Sequence, residues 1–302
     1  SFFSCFCLRT HHTKSPCFAQ YLRLSTRSWK WTKDKAFGTI VIGDGMEKNS
    51  NVETFYTYLD TVASLVEDHG TATYLEGVNE ALNFLMDHSM EIPLDVNREE
   101  TIKDAKNRIT DQTFSKEDVR KGIQIALLKA LKSLSVTNAM MTPDSIGMFM
   151  AYLLEKLYGE KRSLSVLDPL SGTGNLLATL HNHYDETLKF TAIEADPLLS
   201  KVSDNVLDAL ECEHRTLNED TLAFHSDPFD LVVTDLPVAS VDRKDTYFPY
   251  QVILHHLDHV KPGGFFIALI ENDFFEQAAW VMELKSEERF YEQLRNLKDE
   301  EI

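Results

Sequence analysis

From Ser163 onward the chain alternates short apolar runs with longer amphipathic stretches, and that rhythm leaves few folds open. Ser165-Val166-Leu167, Phe190-Thr191-Ala192-Ile193, Leu231-Val232-Val233 and Phe265–Ile270 are hydrophobic runs of the kind buried on both faces of a sheet. Each is separated from the next by enough chain for a crossover helix, which parallel strands require. The expected fold class is therefore α/β, a doubly wound and mostly parallel sheet.

Ahead of that sheet the pattern is helical. Val52, Phe55, Tyr58, Leu59, Val62 and Leu65-Val66 recur at spacings of three and four, as do Tyr74, Leu75, Val78, Leu82, Leu85 and Met86. After a polar stretch containing Pro93, Ser115 and Asp118 form a capping-box pattern ahead of a helix over 119–134. Thr142-Pro143-Asp144 reads as an N-cap with proline at the first helical position, opening a helix to about Tyr158. The expected organisation is a leader over 1–45, a helical domain over 46–140 and the sheet domain over 141–302.

The segment Asp168-Pro169-Leu170-Ser171-Gly172-Thr173-Gly174-Asn175 lies directly between a strand and a helix. Its glycines let the backbone turn sharply and approach a ligand closely, although a ligand-free strand-to-helix turn would use them too. A nicotinamide site would want a third glycine near Leu177, which is missing. Asp168 is placed to accept hydrogen bonds from a cationic or amino-bearing ligand. Glu194, about twenty residues beyond the glycines, suits ribose hydroxyls; a solvated carboxylate at a strand end is its alternative. Asn218-Glu219-Asp220-Thr221-Leu222 could offer Asp220 to an adenine amine and Leu222 to the ring face, though such residues are common in loops. Asp235 and Pro237 leave the next strand at the carboxyl edge, where sheets of this class bind ligands.

DPLSGTGNLL, IEADP, NEDTL, FDLVVTDLPV and HVKPGGFFIAL, in that order, resemble a class I S-adenosylmethionine-dependent methyltransferase. With the preceding helical domain and MTPDSIGMFMAYLL, the chain resembles the adenine-N6 DNA methyltransferases, notably the modification (M) subunit of type I restriction-modification systems and its stand-alone bacterial relatives. The resemblance covers roughly residues 50–300. It implies that Asp168, Gly172, Thr173 and Gly174 cradle the methionine part of S-adenosyl-L-methionine, and that Thr142 and Pro143 close over it. It implies Glu194 for the ribose and Asp220 with Leu222 for the adenine. Asp235 and Pro237 become the catalytic loop, which holds an acceptor amine in line with the transferred methyl. The implied activity is DNA methylation.

Two departures stand out. The family's Asn/Asp-Pro-Pro-aromatic loop is here Asp235-Leu236-Pro237-Val238, so the aromatic face that stacks on a flipped base is absent. Such stacking contributes about 1–3 kcal/mol per base. Tyr247, Phe248 and Tyr250 are nearby substitutes or, alternatively, core residues. The family's final antiparallel strands are not evident, a charged stretch through Trp280, Leu284, Phe290 and Leu294 standing in their place; truncation at the carboxyl end, or completion of the sheet by a partner, is expected.

Charge bears on the substrate. The chain carries 30 Lys+Arg against 48 Asp+Glu, a formal charge of −18, which disfavours unaided capture of DNA and points to a separate recognition subunit or domain. An acceptor amine on RNA, protein or a small molecule, or a degenerate cofactor-binding scaffold without catalysis, are the alternatives. The leader differs in composition, with seven Lys/Arg against Asp34 and Asp44 and three of the four cysteines. Translation from Met46 is the expected explanation, with a transit peptide or an accessory arm as alternatives. No metal is expected: the i, i+4 pair His255 and His259 reads as a polar helix face. Cys212, among acidic neighbours, is not expected to be a nucleophile. No run of about 18 apolar residues exists, and the expected location is the bacterial cytoplasm.

Overall fold

The computed structural model describes residues 3–9, 50–70, 72–133, 141–159, 163–184, 187–237 and 248–271. Helix α1 (Ser50–Asp68) puts Phe55, Tyr58, Leu59, Val62, Ala63 and Val66 on one buried stripe. Helix α2 (Tyr74–Leu85) crosses it so closely that a Cβ on Gly77 would lie 2.6 Å from Ala63 Cα, which only glycine permits. Thr73 and Glu76 cap α2 reciprocally, the Thr73 N–H donating to Glu76 Oε2 at 2.6 Å and the Glu76 N–H to Thr73 Oγ1 at 3.2 Å. Helix α3 (Val96–Thr110), capped by Asp95, buries only Ile102, Ala105 and Ile109, and so escapes a reading based on apolar period. Helix α4 (Lys116–Ser133) starts with the Ser115–Asp118 box expected from sequence.

Helix α5 (Asp144–Tyr158) leads into the sheet: β2 (Leu164–Asp168), α6 (Asn175–His183), β3 (Leu188–Ile193), α7 (Pro197–Ala209), β4 (Glu213–Leu217), a 3-10 turn (Thr221–Ala223), β5 (Phe229–Asp235), α8 (Phe248–Leu257) and β6 (Val260–Glu271). Strands β6-β5-β2-β3-β4 are parallel neighbours in that order. The doubly wound expectation therefore holds, and the order reverses between β5 and β2. The pleat divides the core. Val166, Leu231, Val233, Phe265, Ile267 and Leu269 face the cluster that contains α1 to α7, while Leu167, Val232, Phe266, Ala268 and Ile270 face α8. The helical region and one sheet face thus share one core.

Two sequence expectations are corrected. Residues 3–9, expected to lie outside the fold, form strand β1 (Phe3–Arg9), antiparallel to β6 from Phe3–Glu271 to Arg9–Phe265. Backbone pairing to an open strand edge makes this strand. The run FSCFCLR has no regular alternation of apolar and polar residues to announce it. Thr142 is not the cap of α5. Pro143, which has no side-chain acceptor, holds that position, and the Thr142 hydroxyl donates to Asp235 instead. The charged stretch near Trp280, and Val238, lie outside the described residues.

Arg120 of α4 is 1% exposed and joins the helical region to the sheet domain. Its five N–H groups donate to Glu117 (2.8 and 2.8 Å), Asp144 (2.8 and 3.1 Å) and Thr179 on α6 (3.3 Å). Against desolvation by burial, the guanidinium holds the Glu117 carboxyl down to about 2. Arg120→Leu should cost about 3–5 kcal/mol of stability in urea titration at neutral pH, because two carboxylates lose their partner. The part carried by Glu117 is present above its ordinary value of 4.5 and lost as pH falls toward about 2. The gap between wild type and variant should therefore close over that window. A gap that stays constant there would contradict the assignment.

Candidate functional site

Four acidic residues stand in a row at the carboxyl ends of the parallel strands. Asp235 ends β5, Asp168 ends β2, Glu194 follows β3, and Asp220 lies three residues past β4. The row straddles the β5–β2 reversal, with α6 after β2 and α8 after β5 on opposite faces of the sheet, the place where sheets of this class bind ligands. Asp168 is 1% exposed, and its Oδ1 accepts from the Leu170 N–H at 3.1 Å. Desolvation, then the fields of Asp235 and Glu194, push its carboxyl up to about 7. Asp235 is pushed up to about 6 by burial, although a hydrogen bond from Thr142 pulls the other way. Among the described residues neither carboxylate forms an ion pair.

The glycine loop closes over this row. Gly172 and Gly174 have φ of +54° and +76°, in the left-handed region where a Cβ is strained. A Cβ on Gly174 would also meet Ser203 Oγ on α7 at 2.8 Å. Between them Thr173 Oγ1 is buried without a hydrogen-bond partner among the described residues, which is costly unless something satisfies it. Glu194 Oε2 accepts from the Gly172 N–H at 2.9 Å and Oε1 from the Asp196 N–H at 2.9 Å. Asn218 donates to the Glu194 and Ala195 carbonyls, tying the β4 exit to the β3 exit. Asp220 is exposed and its Oδ1 caps the 3-10 turn at Leu222, whose side chain is half-buried.

Asp235 is fixed from the helical side. The Thr142 hydroxyl donates to Asp235 Oδ2 at 2.8 Å, and the Asn175 amide donates to the Thr142 carbonyl at 2.8 Å. Two residues on, Asp144 is gripped by Arg120, so α4 through Arg120 and α6 through Asn175 together hold the Thr142 segment against Asp235. Sequence reasoning missed Asn175 and Arg120. Asn175 follows the second glycine and was available as a signal; Arg120 looks in sequence like any charged helix residue.

At the exit of β5, the Leu236 N–H donates to the Leu269 carbonyl at 3.1 Å and the Leu236 side chain is buried beside α8. A proline there could not make that bond, which accounts for one departure of the Asp-Leu-Pro-Val loop. Pro237 follows, half-buried, and Pro143 is exposed on the far side of Thr142. Tyr250 is buried in the α8 core and Phe248, half-buried, packs against the same cluster, while Tyr247 lies outside the described residues. The Cys212 thiol is buried and pushed up to about 12 by desolvation, unsuited to nucleophilic chemistry.

A family profile described as the YtxK N-terminal helical domain matches residues 53–131. YtxK of Bacillus subtilis is 32% identical over 251 residues, covering 77% of this chain and 76% of that protein. A crystal structure from Listeria monocytogenes, of a candidate class I S-adenosylmethionine-dependent methyltransferase, superposes with a TM-score of 0.68 at 28% identity, covering 83% of this chain and 80% of that one. The methyltransferase subunit of a type I restriction-modification system from Streptococcus thermophilus aligns at 13% identity with a TM-score of 0.43, covering 69% of this chain and 53% of that one, too distant to bear on substrate.

The raised Asp168 carboxyl has a consequence for stability. It binds its proton more tightly in the folded chain than in the unfolded one, where 3.8 is its ordinary value. Its contribution is therefore most favourable below about pH 4 and declines as pH rises toward about 7. Asp168→Asn should melt close to the ligand-free wild type at acid pH and above it at pH 7, as followed by thermal unfolding. A difference independent of pH would contradict the assigned shift.

Proposed function

The chain belongs to the YtxK family, and on that premise we propose that it is an S-adenosylmethionine-dependent methyltransferase that transfers a methyl group to an amine nitrogen held by the Asp235-Leu236-Pro237 loop. The observation that carries this reading is the pair of sequestered carboxylates, Asp168 and Asp235, at adjoining strand ends without a basic partner among the described residues. A cationic ligand relieves such a pair. The residues present fit this cofactor: Gly172 and Gly174 hold the left-handed backbone of a tight turn beside the buried Asp168, and the Thr173 hydroxyl is buried without a hydrogen-bond partner among the described residues. Bound there, the cofactor supplies a methyl group made electrophilic by its positively charged sulfur.

The chain's own groups then have distinct tasks. Asp168 would accept from the ammonium of the methionine part, beside the backbone of Gly172, Thr173 and Gly174. Glu194 would accept from the ribose hydroxyls, and Asp220 from the adenine amine with Leu222 against the ring. Thr142 and Pro143 would cover the methionine end. Asp235 would accept from the acceptor amine and stabilise the positive charge growing on its nitrogen, with Pro237 stiffening the loop. Because the reaction is an in-line displacement, orientation contributes more than basicity. The Thr142 hydroxyl supports this by fixing one Asp235 oxygen and leaving the other for the acceptor.

The finer reading is adenine N6 in DNA, presented by a separate recognition subunit. A second reading, in which the amine belongs to RNA, protein or a small molecule, is favoured by the −18 charge and by the packing of Tyr250 in, and Phe248 against, the α8 core. Labelled methyl transfer to DNA, RNA and protein fractions in parallel separates the two. Asp235→Ala should lower transfer by about 100-fold, the order seen when a group that stabilises developing charge is removed. Calorimetry with S-adenosylhomocysteine should find cofactor binding retained in the same variant. Loss of both together would assign Asp235 to the cofactor pocket, and no heat with the wild type would sink the enzymatic reading.

A further inference from the structure

Four histidines gather at the amino-terminal edge of β5 and β6, at the opposite end of the sheet from Asp235. His225 follows the 3-10 turn after β4, His255 and His256 close α8, and His259 stands just before β6. The Phe229 N–H that opens β5 donates to the His259 carbonyl at 2.8 Å, which anchors the group to the sheet. Asp235 lies six residues further along β5, about 20 Å of extended chain away.

In sequence, His255 and His259 are an i, i+4 pair on a polar helix face. The fold adds His225 from a separate segment and reduces His259 to 5% exposure. One ring nitrogen from each of His225, His255 and His259 lies within 4.8 Å of the other two. The ring centroids of His225 and His255 are 5.4 Å apart, and those of His255 and His259 are 5.2 Å apart.

Two hydrogen-bond observations point to a ligand. His255 Nε2 is 2.7 Å from the Phe224 carbonyl oxygen. A carbonyl only accepts, so Nε2 carries the ring proton and Nδ1 keeps its lone pair. A backbone-anchored N–H is the usual outer support of a metal-bound imidazole. His259 Nδ1 is buried without a well-aligned hydrogen-bond partner among the described residues, the His255 backbone being the polar backbone group beside its ring. His256, fully buried and held by Thr221 Oγ1 at 2.7 Å, packs behind the three.

We propose that His225, His255 and His259 bind a zinc-class divalent cation, with solvent reaching it on the exposed His225 side. An all-imidazole donor set favours such ions over magnesium or calcium, which seek oxygen ligands. At this distance from Asp235 the ion takes no part in the reaction. It ties the segment after β4 to the turn between α8 and β6, and so stabilises the folded chain. This site is separate from the cofactor crevice and stands or falls independently of the methyltransferase reading.

The test is zinc titration of the untagged, EDTA-treated full chain by calorimetry, with thermal unfolding in parallel. The expected result is one zinc bound at this site with a rise in Tm. His225→Ala, which removes an exposed side chain, should weaken that binding at least about tenfold while leaving the metal-free Tm unchanged. His255→Gln should weaken it likewise. Asp208→Asn, in the separate Asp204–Asp208–His214 grouping, should leave it intact. Absence of zinc binding, binding indifferent to His225→Ala, or binding lost in Asp208→Asn would overturn the proposal.

Discussion

The buried Arg120 guanidinium is the interaction on which the rest of the architecture depends. It takes a charge out of water, which is favourable only because Glu117, Asp144 and Thr179 satisfy every donor it has. Those acceptors sit on three helices, α4, α5 and α6, so the bond set fixes the helical region against the sheet domain. Gln124 adds a 2.5 Å hydrogen bond to Asp144. The start of α5 is thereby held, and with it Thr142, whose hydroxyl reaches Asp235 at the end of β5. A structural ion pair and a candidate reacting group are linked by one short run of chain, 142–144.

That linkage sets up an electrostatic contrast. The Glu117 and Asp144 carboxyls are held low because a cation faces them, in spite of their burial. Asp168 and Asp235 are held high by deeper burial, with no such cation beside them among the described residues. One set of acids is complete within the fold, while the other is complementary to something cationic from outside it. In a protein of this fold class the crevice at the strand-order reversal is the place for such a ligand. The two sets together explain how an acidic chain can spend some carboxylates on cohesion and reserve others for binding.

Much of this was legible in the sequence because buried parallel strands and glycine turns leave strong local signals. Val166, Ile193, Val233 and Ile267 lie in strands where apolar runs predicted them, and Gly172 and Gly174 adopt the conformations that make glycine necessary. The parts that escaped are those decided by distant partners. Helix α3 buries only Ile102, Ala105 and Ile109, too few for a period to show. Strand β1 is made by pairing to β6 across some 260 residues of chain. Thr142 matches an N-cap in sequence, but its hydroxyl is taken by Asp235, 93 residues away. His225 belongs with His255 and His259 only because β4, β5 and α8 bring them to one edge.

The most direct measurement of the central claim is the proton balance of cofactor binding. With Asp168 held near 7, a fraction of that carboxyl is protonated at neutral pH, and it must ionise to face an ammonium group. Calorimetry of S-adenosylhomocysteine binding, in buffers of different ionisation enthalpy, reads the protons exchanged. Net proton release between about pH 6 and 7, absent in Asp168→Asn, is the predicted result. Binding without proton release, or the same release from the variant, would contradict the assignment of the buried carboxylate row to the cofactor.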